Sequence, residues 1–222
     1  MSASIGGLAM IDNSNAGVTR TRTKRVRDRI FDTACRLFYE HGIRAVGVDA
    51  IAHEAGTNKM SFYRNFASKE ELVASYLRAQ AEQHFCWWDE TIAQHAGNPR
   101  RQAEALFDAY AAHARADCPR GCALANAAVE LAPGDGALDE IVREYKAEIR
   151  RRLRRLAREM GAADPNLLGD ALMLLMEGGY ASRLSVKQEA GPLTAAAAAA
   201  RALIDAQLPR GRRSGPGKTR RR

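Results

Sequence analysis

Between Asn58 and Lys69 the chain reads Asn-Lys-Met-Ser-Phe-Tyr-Arg-Asn-Phe-Ala-Ser-Lys, a run of hydrogen-bonding side chains interrupted by two phenylalanines. Phe62 and Phe66 stand four apart, so on a helix they share one face and anchor it to a small core. Lys59, Met60, Ser61, Tyr63 and Asn65 are then left pointing outward. These residue types do not activate a nucleophile; they donate and accept hydrogen bonds and offer an apolar contact. That is the chemistry of reading base edges and holding phosphates. Asn58 is placed to cap the helix. Ser68-Lys69-Glu70-Glu71 has the spacing of a capping box that opens the next helix. The free backbone N–H groups there, with the Lys69 charge, suit a phosphate.

A second group of reactive side chains lies further on. His113, Cys118 and Cys122 are potential metal donors, but a zinc site normally takes four ligands and no fourth partner is evident short of His84 or Cys86. No metal and no cofactor is therefore expected. Cys118 and Cys122 also suit a redox pair, because Arg120 and a helix N-terminus at Cys122 would favour a thiolate. The plainer reading packs Cys122 as a small apolar residue behind Gly121, and Cys35 as a structural one. The chain has no Gly-rich phosphate loop, no G-x-S-x-G turn and no H-E-x-x-H, so it is not read as an enzyme.

The elements that must carry these residues are all helical. Ile30, Ala34, Leu37, Phe38 and His41 recur at helical spacing and stop at Gly42. A short helix follows, with Val48, Ile51, Ala52 and Ala55 inward and Gly56 in the turn. Lys59 to Phe66 forms the third helix. The fourth opens at the capping box and runs towards Trp88. Asn98-Pro99 starts a fifth, with Ala103, Leu106, Phe107, Tyr110, Ala111 and Ala114 on its apolar face. A short helix is predicted from about Cys122 to Leu131. Then Leu138, Ile141, Val142, Tyr145, Ile149, Leu153, Leu156 and Met160 make one stripe, opposite a solvated face of Arg150, Arg151, Arg154, Arg155 and Arg158. Asp164-Pro165 opens an apolar helix through Tyr180, and a last helix spans about Leu193 to Leu208. No segment alternates with period two. The prediction is an all-α protein of about nine helices.

Charge is placed unevenly along these 222 residues. Of the net +8, residues 1–29 carry +4 and residues 209–222 carry +7, leaving a body of −3. Basic ends on an acidic body point to an anionic polymer or surface, or to a solubilising tail. No stretch approaches the roughly 18 apolar residues of a membrane span, and no secretory signal is read, so a cytoplasmic protein is expected. Four cysteines without regular spacing do not make a disulfide scaffold.

Two short helices joined by a Gly-containing turn, the second capped and polar at its start, are a helix-turn-helix. Ile30, Ala34, Leu37, Phe38, Gly42, Val48, Ile51-Ala52, Ala55-Gly56, Tyr63, Phe66, Lys69 and Leu72 together resemble the N-terminal DNA-binding domain of the tetracycline-repressor (TetR) family. The resemblance implies a three-helix DNA-binding domain over residues 24–70 after a disordered basic-ended arm, 1–23. A larger helical ligand-binding and dimerisation domain over 71–208 and a disordered basic tail, 209–222, would follow. By position, Asn58 caps the reading helix; Lys59, Met60 and Ser61 face bases; Tyr63, Asn65 and Lys69 touch phosphates. Three departures stand out. Val46 and Gly47 replace the usual hydroxyl cap of the second helix, Asn58 replaces Ser, and Met60 replaces Gly.

The resemblance further implies a homodimeric repressor of a palindromic double-stranded DNA operator, released by a small-molecule effector. Its pocket would be apolar with a few polar groups. Phe85, Trp87, Trp88, Phe107, Tyr110, Met176 and Tyr180 are candidate lining, with Cys122 beside them and His113, Asn126 and Tyr180 as polar candidates; as residues alone the aromatic ones read more commonly as core. The stretch Cys118 to Asn126 resembles a Gly-Cys…Asn motif of one branch of the family. The apolar helix 165–182 and six consecutive alanines at 195–200 would make the dimer seam. The alternatives are a regulator that senses oxidation through Cys118 and Cys122, and a sequence-tolerant architectural DNA binder that relies on its basic arms.

Overall fold

The computed structural model describes residues 24–113, 121–131, 136–182, 186 and 191–208. The arm 1–23, the tail 209–222 and Cys118 lie outside the described residues, as does the side chain of His113. Among the described residues there are nine α-helices, one 3-10 turn and no strand. Helix α1 spans Val26–His41, α2 Val48–Glu54, α3 Lys59–Asn65, α4 Lys69–Ala93 and α5 Pro99–His113. Helix α6 spans Ala123–Glu130, α7 Ala137–Glu159, α8 Pro165–Ser182 and α9 Ala196–Gln207, with the 3-10 turn over Pro192–Ala195 just before α9.

Helices α1 to α3 form a small head. Ile30, Ala34, Leu37 and Phe38 bury the inward face of α1 against Ile51 and Ala52 of α2 and Phe62 of α3. The chain leaves α1 through Gly42 at φ +90, a backbone conformation that costs a side-chain-bearing residue dearly. The first turn of α3 is closed by Asn58, whose Oδ1 accepts the Ser61 N–H at 2.9 Å. Ser68 does the same for α4, accepting the Glu71 N–H at 3.0 Å, while Glu71 reaches back to accept the Ala67 N–H at 2.6 Å. Helix α2 has no such cap: Gly47 stands at its N-cap without a side-chain acceptor.

The 25 residues of α4 carry the chain from head to body, a length of about 37 Å at 1.5 Å per residue. Its Leu72, Val73, Tyr76 and Leu77 belong to the head's core, and Trp87 and Trp88 to the body's. The division between residues 70 and 71 drawn from sequence thus falls inside one continuous helix.

In the body, α5 and α7 to α9 pack around Trp88, Leu106, Phe107, Ile149, Leu153, Leu172 and Ala200, all buried. Asn98 and Pro99 open α5 as expected, Asn98 Oδ1 accepting the Arg101 N–H at 3.1 Å. Helices α7 and α8 cross closely at Gly169, where a Cβ would stand 2.7 Å from the Arg154 Cα; only glycine fits that crossing. One expectation holds in part: Arg150, Arg151, Arg155 and Arg158 are exposed and Arg154 is half-buried. The arginine face of α7 is not simply solvated: Arg150 and Arg154 both hold the Asp170 carboxylate of α8 in two-point contacts of 2.5–2.8 Å. The close approach brings Asp170 within their reach, and it holds that carboxyl far below the usual range. Arg152, on the same helix, lies mostly buried beneath Glu148 and Asp89.

Candidate nucleic-acid interface

Helix α3 presents a mixed face to solvent. Phe62 and Phe66 are buried, whereas Met60 is 67% and Tyr63 49% exposed. Lys59 is exposed, and its Nζ rests on Asp49 Oδ2 of α2 at 3.1 Å. Ser61 is half-buried. Asn65 is turned back on its own helix, its Nδ2 donating to the Ser61 carbonyl at 2.7 Å. Asn58 is exposed but spends its oxygen on the cap. Of the expected contact residues, Lys59, Met60 and Tyr63 therefore share the open face, and Asn58 and Asn65 shape the helix beneath them.

Lys69 stands at the N-terminus of α4, half-buried. Burial lowers its pKa, and the Glu130 carboxylate of α6 opposes that. The same Glu130 accepts the backbone N–H of Arg44 at 3.1 Å. Its oxygens lie under 3 Å from where a Cβ on Gly42 would be.

Four cationic or anionic neighbours were not singled out from the sequence. Arg27 donates to the Asn65 carbonyl at 2.9 Å and lies 4.4 Å over the Phe66 ring, tying α1 to the end of α3. Arg29 donates to the Ala55 carbonyl at 3.2 Å, holding the turn. Arg64, exposed, touches Met60 Sδ at 3.7 Å. Asp49 aims Lys59. Only the spacing of Arg64 from Met60 was visible in the sequence; the other contacts join residues from separate helices.

The candidate pocket residues divide into groups. Trp88, Phe107, Tyr110, Met176 and Tyr180 meet in the buried middle of the body. His84 joins them: its Nε2 lies 2.8 Å from the Tyr110 hydroxyl, and the rings of Phe85, Trp87, Trp88 and Tyr145 surround it. Burial, with Arg152 and Lys146 nearby, pulls the His84 pKa down to about 3. Burial drives the Tyr110 and Tyr145 hydroxyls well above their usual range. Cys122, a free and half-buried thiol, lies 3.7 Å from the Tyr145 hydroxyl. Phe85 is half-buried at the edge, covered by Arg152 at 4.5 Å. Asn126 stands apart, in a small cavity with Phe38, Tyr39 and Tyr76 where α6 meets the head. Cys35 is inert by the same physics, its thiol pushed up to about 12 by burial. Among the described residues no three of His, Cys, Asp or Glu converge as metal ligands.

A capped, exposed helix held by a second helix across a glycine turn is a helix-turn-helix, here carried on a helical body. Residues 30–76 match the model for bacterial regulatory proteins of the tetR family. The head of this chain is thus of the tetR type. The HTH-type transcriptional repressor KstR2 of Mycobacterium tuberculosis is 36% identical over 81 residues, 36% of this chain and 40% of that protein. The chain thus matches well under half the length of that relative. Over the whole body the likeness is structural. The crystal structure of SCO4454, a TetR-family transcriptional regulator from Streptomyces coelicolor, shares the fold with a TM-score of 0.77 at 23% identity. That match covers 82% of this chain and 95% of that one. A TetR transcriptional regulator from Chloroflexus aurantiacus gives a TM-score of 0.71 at 25% identity, over 82% and 96%. No described helix is long and apolar enough to cross a membrane.

Proposed function

We propose that this chain is a cytoplasmic, homodimeric repressor that binds a palindromic operator through α3 and is released by a small-molecule effector bound in its body. The observation that carries the reading is the α3 face itself. Lys59, Met60 and Tyr63 stand outward on a helix whose inward phenylalanines are buried and whose first turn is closed by Asn58. A helix so fixed can enter a major groove without rearrangement.

The body supports a dimer. Leu174 is 73% and Leu167 57% exposed on α8, with Gly178 in open space on the same face. Ala198 and Ala202 are exposed on α9. Two apolar helices from each subunit make a four-helix seam, which sets two reading helices about one DNA turn, roughly 34–36 Å, apart. The phase of α8 makes Leu174, rather than the half-buried Leu175, the outward residue to test.

The experiment is sedimentation with operator binding on the same samples. Wild type should sediment as a dimer and protect one palindrome; Leu174→Asp should sediment as a monomer and lose protection. A wild-type monomer at micromolar concentration that still protects a palindrome would overturn the dimer reading.

A further inference from the structure

Helix α3 carries two cations, Lys59 and Arg64, and the structure treats them differently. Lys59 rests on Asp49 of α2 at 3.1 Å. Arg64 pairs with no carboxylate among the described residues; its guanidinium touches Met60 Sδ at 3.7 Å, a weak acceptor. Elsewhere in the head, Arg36 is held by Glu40 and Glu54, and Arg27 and Arg29 donate to backbone carbonyls. Arg64 thus keeps its fork of N–H donors for a partner outside the chain.

The phase of α3 says where that partner stands. At about 100° per residue, Met60 and Arg64 each lie about 160° around the helix from the buried Phe62, Tyr63 about 100° and Lys59 about 60°. Met60 and Arg64 therefore form the middle of the face turned away from the head. Lys59 is on its flank, as the contact with Asp49 requires. Both central residues are exposed. Arg64 belongs to the last turn of α3, but its side chain runs back over the preceding turn to Met60, as helical side chains do. That brings the guanidinium towards the N-terminal half of the helix, the part that meets base edges when such a helix lies in a major groove.

The chemistry of the fork selects among those edges. An arginine there presents two parallel N–H donors. Guanine answers them with two neighbouring acceptors, N7 and O6. Adenine has an amino donor where guanine has O6, thymine offers one acceptor beside a methyl group, and cytosine offers a donor.

We infer that Arg64 reads one guanine in each operator half-site, its guanidinium donating to N7 and O6 while Met60 covers it on one side. The inference rests on the reading of α3 as the base-contacting helix and names the base that it selects.

The test uses the full-length protein and the duplex it enriches from a random DNA pool. Each guanine of one half-site is replaced in turn by 7-deazaguanine, which removes the N7 acceptor and keeps the base pair. At one of these positions the replacement should weaken wild-type binding about tenfold. In Arg64→Ala that position should become indifferent to the replacement, while the others respond as in wild type. Enriched palindromes without guanine would overturn the inference and leave α3 as the reading helix. So would a 7-deazaguanine response that survives in Arg64→Ala, with all duplexes weakened alike and the salt slope reduced by about one, the signature of a phosphate contact. A pool from which no sequence is enriched would overturn the reading of α3 itself, and the inference with it.

Discussion

The head and the body solve opposite problems with the same secondary structure. In the head, polar side chains point out and the core is a handful of apolar residues; Phe62 and Phe66 hold α3 so that Lys59 and Tyr63 stand exposed. In the body, the informative polar groups point in. His84 and Tyr110 are bonded to each other in a shell of aromatic rings, and apolar leucines such as Leu174 are left outside. Reading a nucleic acid needs exposed hydrogen bonding on a rigid support. The body instead keeps its polar groups buried, with His84 Nδ1 and Trp88 Nε1 left without a partner among the described residues. Helix α4 belongs to both, which makes it the structural link between them.

The sharpest way to break the comparison is to remove the head's support without touching its reading face. Phe62→Ala should cost about 3–5 kcal/mol of stability, as deletion of a fully buried aromatic ring does. In urea, the loss should be confined to the transition that reports the head, and operator binding should vanish. Equal destabilisation of a probe in the body, such as Trp88 fluorescence, would show that head and body unfold as one unit.

The body's inward polarity has a pH signature. His84 binds a proton more weakly in the folded chain, near pKa 3, than in the unfolded one, near 6.5. The unfolded state therefore takes up the proton first as pH falls. Stability is intact above about pH 6.5 and declines below it, by about 2 kcal/mol at pH 5. His84→Gln should flatten the decline between pH 6.5 and 5 in thermal melts. An unchanged slope would place the acid sensitivity elsewhere.

A smaller effect sharpens the role of the α4 start. Ser68→Ala removes the acceptor of the Glu71 N–H and should cost about 1 kcal/mol. Helix-to-head coupling would then predict weaker operator binding on every sequence, with rank order kept, when affinities are compared by anisotropy.

What was legible in the sequence divides along the same line as the molecule. Asn58, Ser68 and Gly42, and the pair Phe62 and Phe66, act on partners within four residues, so spacing alone exposes them. Asn65 has a local partner that its residue type alone does not reveal: its amide donates to the Ser61 carbonyl one turn back. His84 carried no local signal, because the hydroxyl that fixes it belongs to Tyr110, 26 residues on. Arg154 reads as surface until α8 brings Asp170 to it. Helix α8 is apolar around most of its circumference, which hides its phase; only packing shows that Leu172 and Met176 face in and Leu174 faces out.

The claim on which the rest depends is that α3 reads bases. Selection of DNA from a random pool by wild type, by Lys59→Ala and by Tyr63→Phe tests it directly. Wild type should recover palindromic half-sites about one helical turn apart. Lys59→Ala should recover a set altered at one position per half-site, with a discrimination change of about 1–3 kcal/mol there. Tyr63→Phe should recover the wild-type set with lower yield, since a phosphate contact positions without specifying. Identical recovered sequences for wild type and Lys59→Ala, at equal affinity, would contradict the account.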